Sequence, residues 1–124
     1  MSNTIPAAHV RTKRVYEAPA KADGERILVD RLWPRGLSKD EAAIDHWLRD
    51  LAPSDALRTW YAHKPSRWLG FRKRYAAELA CQLEALGHLR AAARERVITL
   101  LYAAHDEARN NAVALRNVLL GRNH

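Results

Sequence analysis

Apolar residues along this chain fall into two kinds of pattern. In Arg26-Ile-Leu-Val-Asp30 and in Val97-Ile-Thr-Leu-Leu-Tyr-Ala103 they follow one another without a break, as in strands covered on both faces. Val10 to Tyr16 is more polar but carries β-branched residues, and reads as an earlier strand. Elsewhere the apolar positions recur at helical spacing. Trp68, Phe71, Tyr75, Leu79, Leu83 and Leu86 form an i, i+3, i+4 stripe. It predicts one long helix from Arg67 to about Leu86, ended by Gly87. Ala108, Ala112, Leu115 and Leu119 predict a last helix over Glu107 to Leu120, stopped by Gly121.

Polar signals punctuate these runs. Pro19 to Gly24 reads as a turn. Leu32 to Gly36 must leave regular structure, because Pro34 has no amide hydrogen and Gly36 frees the backbone. Ser38 fits a helix N-cap, and Glu41 three residues on completes a capping box for a short helix. Ser54 caps a second helix from Asp55 to about His63, and Pro65 and Ser66 open the long one. Ala91 to Arg96 reads as a helical turn. Ile44 to Leu51 stays ambiguous: Ile44, Trp47, Leu48 and Leu51 have helical spacing, but a strand or an irregular segment also fits. The order strand, strand, helices, strand, helix predicts an α/β fold. The expectation is one small domain with a short, mostly parallel sheet of about three to five strands and helices on both faces. No repeat or linker divides residues 1–124, and the ordered core is expected over about 10–120.

Composition narrows the class. A chain of 124 residues with 48% apolar and 28% charged side chains is ordinary for one globular domain, and excludes collagen-like and disordered readings. A single cysteine excludes a disulfide scaffold and a four-thiolate zinc site. Cys81 falls inside the predicted long helix and reads as a packed, inert thiol. His9, His46, His63, His88, His105 and His124 are scattered without metal-ligand spacing, so neither metal nor cofactor is expected. No apolar run approaches the ~20 residues of a membrane span, and the start lacks a signal-peptide pattern. A cytoplasmic protein without membrane contact is expected.

Charge changes the picture. The net charge is +7, and residues 63–124 carry +6 of it. Arg58 to Tyr75 holds six basic residues, five aromatics and no acid. Such a block suits a polyanion, with cations on phosphates and aromatics on bases. Lys64, Arg67, Lys73 and Arg74 are its candidate nucleic-acid contacts. On a helix, Trp68, Phe71 and Tyr75 point inward, which leaves Trp60 and Tyr61 for stacking.

A second candidate site comes from the loops after the two apolar strands. In open parallel sheets, ligands sit beyond the carboxyl ends of the strands. If the two strands are parallel neighbours, their loops converge. The first presents Asp30, Arg31, Trp33 and Arg35; the second presents Asp106 and Asn110 among His105, Glu107 and Arg109. The arginines suit phosphate or carboxylate. Each residue also has a structural reading. Asp30, next to Arg31, suits a structural ion pair with a helix terminus, Trp33 a core or cleft wall, Asp106 the N-cap of the last helix, and Asn110 a bond to nearby backbone.

The run Leu28-Val-Asp-Arg-Leu-Trp-Pro-Arg-Gly-Leu-Ser38 is long and specific. With Trp47-Leu48, Leu51-Ala-Pro-Ser54, Trp68, Phe71, Tyr75-Ala-Ala-Glu-Leu79 and Thr99-Leu-Leu-Tyr-Ala-Ala104 before Asp106 and Asn110, it resembles the YeaO-like branch of the uncharacterised bacterial family called domain of unknown function 488. The resemblance spans about Val10 to Leu120. It implies a small cytoplasmic α/β domain and no settled activity. It also exposes departures. The family pattern has His-Asp-Pro where this chain has His63-Lys64-Pro65, so the basic block is more basic here. Wider relatives carry Cys at the position of Tyr102, Glu at Ala104, and Cys-His-Arg at Asn110-Asn111-Ala112. Without those groups, thiolate chemistry and thiol-based metal binding are not expected here.

Three functional readings follow. The first is a module binding nucleotide or nucleic-acid phosphate through a basic cleft. The second is a small enzyme for a phosphorylated or carboxylated metabolite, with Arg31 and Arg35 on the anion and Asp30 or Asp106 as acid–base group. The third is a protein-interaction module, for which a homodimer burying Trp33 is one form.

Overall fold

The computed structural model of the protein describes residues 4–122; His124 lies outside them. Four strands form one sheet: β1 (Val10–Arg14), β2 (Glu25–Leu28), β3 (His46–Trp47) and β4 (Ile98–Tyr102). Their order is β1-β4-β2-β3 and every pairing is parallel. Five α-helices accompany them: α1 (Lys39–Ala42), α2 (Asp55–Tyr61), α3 (Trp68–Leu79), α4 (Leu83–Glu95) and α5 (Asn111–Leu119). The fold is α/β, as the alternation of patterns predicts.

The sheet has two very unequal faces. Ile98, Leu100 and Tyr102 of β4 and Ile27 of β2 join the main core, with Leu57 and Tyr61 of α2, Phe71, Tyr75 and Leu79 of α3, Leu86 and Leu89 of α4, and Leu115 and Leu119 of α5. Leu28 and Leu101 point the other way. Ala42 of the one-turn helix α1 covers them, with Trp33, Leu37, Ile44 and Trp47 packed alongside. Period-two alternation of strand side chains makes this division. All five residues of β4 are buried because helices stand on one side and the Trp33–Trp47 segment on the other.

Two predicted caps are present. The Ser38 hydroxyl accepts from the Glu41 amide while Glu41 accepts from the Ser38 amide, closing the capping box of α1. The Ser54 hydroxyl accepts from the Leu57 amide. Glu78 of α3 reaches across and accepts from both the amide and the hydroxyl of Ser54, at 2.8 and 2.5 Å, tying α2 to α3.

Five expectations need correction. The predicted helix over Arg67 to Leu86 is two helices. The Cys81 and Gln82 amides bond back three residues, to Glu78 and Leu79, which tightens and ends α3. The chain then restarts as α4 with Leu83 exposed and Leu86 and Leu89 buried. The stripe is continuous in sequence because 79, 83 and 86 keep helical spacing across a bend that re-aims the second half. Gly87 therefore lies within α4 and ends nothing, and Ala91 to Arg96 is the end of α4 rather than a separate turn. Cys81, at the bend, is exposed. The last helix begins at Asn111, not Glu107. The ambiguous Ile44 to Leu51 segment supplies β3 and a 3-10 turn over Arg49–Leu51.

Gly24 joins this architecture by necessity. Its φ is +62°, and a Cβ there would lie 2.2 Å from the Val97 carbonyl oxygen. Just before it, Asp23 is 1% exposed and forms a buried ion triad on the minor face. It accepts from Lys13 of β1 at 3.1 Å and from Arg26 of β2 at 2.5 Å. Arg26 also donates to the Ala42 and Ala43 carbonyls, clamping α1 to the sheet.

Candidate functional site

β2 and β4 are parallel neighbours, with Leu28 beside Leu101. The loops that follow them meet at the carboxyl end of the sheet, as the sequence pattern requires for a shared site. Asp30 is the point of contact. Its carboxylate accepts from the Ala103 amide at 2.9 Å and from the Asn111 side-chain amide at 3.0 Å. The same Asn111 nitrogen donates to the Val29 carbonyl at 2.9 Å. One side chain at the start of α5 thus holds the end of β2.

Burial pushes the Asp30 carboxyl above its ordinary value, and the bonds from Asn111 and Ala103 offset this only in part. The charges of His63 and Arg58 act in the same lowering direction, also without cancelling the effect of burial. Asp30 is a half-buried carboxylate whose hydrogen-bond donors are all neutral. The expected tie to a helix terminus is present as a hydrogen bond from Asn111 at the start of α5, not as an ion pair. Arg31 turns to the Pro53 carbonyl at 3.4 Å and to Asp55 at 3.6 Å, and Asp55 also holds Arg58 at 3.1 Å. Arg31 and Arg58 are therefore gathered on Asp55 at the exposed start of α2.

His63 reaches this region through an unusual backbone. Ala62 and His63 both have left-handed dihedrals, at φ +47° and +55°. Side chains carry a cost of order 1–2 kcal/mol in that conformation. Neither residue is Gly or Asn, so no local sequence signal marks the turn.

The other predicted loop residues have structural work. The Trp33 indole donates to the Leu37 carbonyl at 2.7 Å and meets Trp47 edge-on at 5.5 Å between ring centres. It is a wall of the minor core. Arg35 is exposed, and its carbonyl accepts from the Tyr16 hydroxyl past the end of β1. Asp106 does not cap the last helix. Its carboxylate accepts from the Ala108 and Arg109 amides and pairs with Arg109 at 3.0 Å, and those bonds hold it below the usual carboxylate range. The cap is Asn110, 2% exposed, which accepts from the Val113 amide and donates to the Asp106 carbonyl. Asn111, one residue further, was not a sequence candidate, because an amide at a helix start looks the same whether it caps or binds a neighbouring strand.

The basic block is also partly used up. Arg74 stacks over Trp60 at 3.9 Å and Arg67 lies over the same ring at 5.2 Å. Tyr61 is buried, and its hydroxyl donates to the Arg109 carbonyl. Trp68, Phe71 and Tyr75 form an aromatic row against the core, as their spacing predicts. The two rings left for stacking are thus occupied, while Lys64 and Lys73 are exposed on the surface. Among the described residues, no group of three or more His, Cys, Asp or Glu side chains could hold a metal ion, and no helix is long and apolar enough to cross a membrane.

With this geometry in hand, comparisons with known proteins are direct. A family model described as the inactive DUF488-N3 subclade matches residues 9–124. An uncharacterised protein of Mycobacterium tuberculosis is 43% identical over 118 residues, covering 95% of this chain and 99% of that protein. The uncharacterised protein YeaO of Escherichia coli is 39% identical over 111 residues, covering 90% of this chain and 96% of that one. No solved structure matches the chain. The match extends over almost the whole domain, both strand-end loops included, and the chain belongs to the YeaO-like, inactive N3 subclade of the domain of unknown function 488 family.

Proposed function

We propose that this protein is a binding domain, without covalent chemistry of its own, for a small phosphorylated ligand of nucleotide type seated at the carboxyl end of β2 and β4. The observation that carries this reading is the setting of Asp30. A half-buried carboxylate with neutral hydrogen-bond donors only is suited to accept from a ligand hydroxyl or amine, while Arg58 at the exposed start of α2 takes its phosphate. Arg31 sits at the same rim. The absence of turnover is supported by the residues at the site. Tyr102, Ala104 and Asn110-Asn111-Ala112 stand where the resemblance puts reactive groups in wider relatives, and Asp106 commits both oxygens to its own turn. The description of the subclade as inactive agrees with this. A nucleotide is favoured over a nucleic-acid strand because the Trp60 ring is already covered by Arg67 and Arg74.

Thermal unfolding in the presence of nucleoside mono- and triphosphates, sugar phosphates and short single-stranded DNA and RNA tests the proposal. A ligand at 100 times its dissociation constant stabilises by about 2.7 kcal/mol, a shift of order 10 °C for a chain of this size. The expected result is a shift with a mononucleotide that shrinks with salt and is lost in Arg58→Ala and Asp30→Asn. No shift with any nucleotide or sugar phosphate overturns it. A larger shift with oligonucleotides, lost in Lys64→Glu and Lys73→Glu instead, replaces it with a nucleic-acid surface.

A further inference from the structure

A cleft between α3 and α5 lies outside the strand-end site. It has a volume of about 350 Å³, within the roughly 300–1,000 Å³ range of small-molecule sites. It exists because the two helices face each other through alanines, Ala76 on α3 and Ala114 on α5, so their backbones stay close while the longer side chains splay apart. Leu69 and Val118 add apolar wall. Leu69 is 63% exposed.

The charged residues of the cleft are all of one sign. Arg72 and Lys73 come from α3 and Arg122 from the turn after α5, and no acidic residue lines it. Arg72 has a further peculiarity. Among the described residues, its Nε is the buried side-chain polar atom left without a hydrogen-bond partner. The guanidinium's ring contact with Trp68 at 5.7 Å supplies no acceptor, and with Lys73 and Arg122 it gives the cleft three cations and no acid to balance them.

We propose that the α3–α5 cleft binds a small amphiphilic anion, with a phosphate or carboxylate head on Arg72, Lys73 and Arg122 and a short acyl or aryl body against Leu69, Ala76 and Val118. The volume limits the occupant to a molecule of roughly drug size. A polyanion strand would gain nothing from the apolar wall, and a neutral apolar ligand would leave the three cations without a counter-ion. This site is separate from the one at Asp30. Asn117 lies six residues along α5 from Asn111, about 9 Å at the helical rise.

The test is fluorescence titration of the full chain with 8-anilinonaphthalene-1-sulfonate, an aromatic anion, followed by displacement. The expected result is one site per chain, displaced by octyl phosphate and octanoate but not by inorganic phosphate or octyltrimethylammonium. Lys73→Glu should weaken octyl phosphate at least tenfold. Ala76→Phe, which fills the cleft, should abolish binding with the fold retained by circular dichroism. Asp30→Asn should change nothing, which separates this site from the strand-end proposal. Equal displacement by the octyl cation overturns the inference, as does an unchanged affinity in Lys73→Glu. Sedimentation decides the remaining case: a dimer dispersed by Leu69→Lys would mean that a second copy of the chain, not a ligand, covers the cleft.

Discussion

β2 has an aspartate just beyond each end. Asp23 precedes it and Asp30 follows it, each turned into the protein, and the two carboxylates are held in opposite ways. Asp23 is met by cations. Burial pushes its carboxyl up, but the Ala20 amide, Lys13 and Arg26 outweigh burial and hold it below the ordinary value of 3.8. Asp30 is met by amides. There burial wins, and the carboxyl stays above 3.8. The first arrangement closes a structure, because every charge in it has a fixed partner of opposite sign. The second leaves a charge incompletely compensated at the end of a parallel sheet, the setting on which the proposed ligand site rests. Residue type does not separate the two settings; the sign of the nearest donors does.

The largest effect expected follows from removing the compensated charge. Asp23→Ala leaves Arg26, 4% exposed, without its anion, and should lower the unfolding free energy by about 3–5 kcal/mol, read from the urea midpoint. A loss below about 1 kcal/mol would mean that the triad is open to water in solution, and the contrast with Asp30 would collapse.

The two carboxylates should also respond to pH with opposite sign. A lowered native pKa makes the Asp23 contribution present above the unfolded value and lost as acid protonates the folded carboxyl, below 3.8. A raised native pKa makes the Asp30 contribution present at low pH and lost as pH rises from 3.8 through the folded value. Carboxyl-carbon NMR should place the Asp23 midpoint below 3.8 and the Asp30 midpoint above it. Two midpoints on the same side of 3.8 would break the comparison.

Smaller effects sharpen it. Asn111→Ala removes a neutral donor from Asp30 and from the Val29 carbonyl. It should cost about 1 kcal/mol and move the Asp30 midpoint further up, leaving Asp23 where it was. A downward move would show that Asn111 does not stabilise the ionised form. The smallest effect expected is a control remote from both. Gly87 sits exposed within α4 with nothing within 4 Å of a built Cβ, so Gly87→Ala should stabilise by about 0.4–1 kcal/mol, equally at pH 4 and pH 7. A pH-dependent change there would mean that the Asp23 and Asp30 profiles report something global.

Much of the fold is legible in the residues. The consecutive apolar runs are β2 and β4, the Ser38 and Ser54 caps are where their spacing puts them, and the Trp68, Phe71 and Tyr75 row is core. The break after Leu79 is not legible, because helical spacing persists through it and the signal is only two backbone bonds that tighten a turn. The strand-end site is legible as a place, with Asp30 at its centre, but not as a set of partners. Arg31 binds away from its sequence neighbour, Asn110 turns out to be the helix cap, and Asn111 and His63 enter from segments far off in sequence.

What the sequence by itself determined is local and periodic: which stretches bury both faces, where helices are capped, the family, and the excess of positive charge. Such properties depend on neighbours a few positions apart, and the order of residues contains them. The tertiary structure alone decided which charges are compensated. It put Lys13 and Arg26 on Asp23 and only amides on Asp30, covered Trp60 with two arginines, and left Arg72 Nε without an acceptor beside an alanine-lined gap. Electrostatic environment falls off with distance in space rather than along the chain, so the fold had to be in place before any of these roles existed.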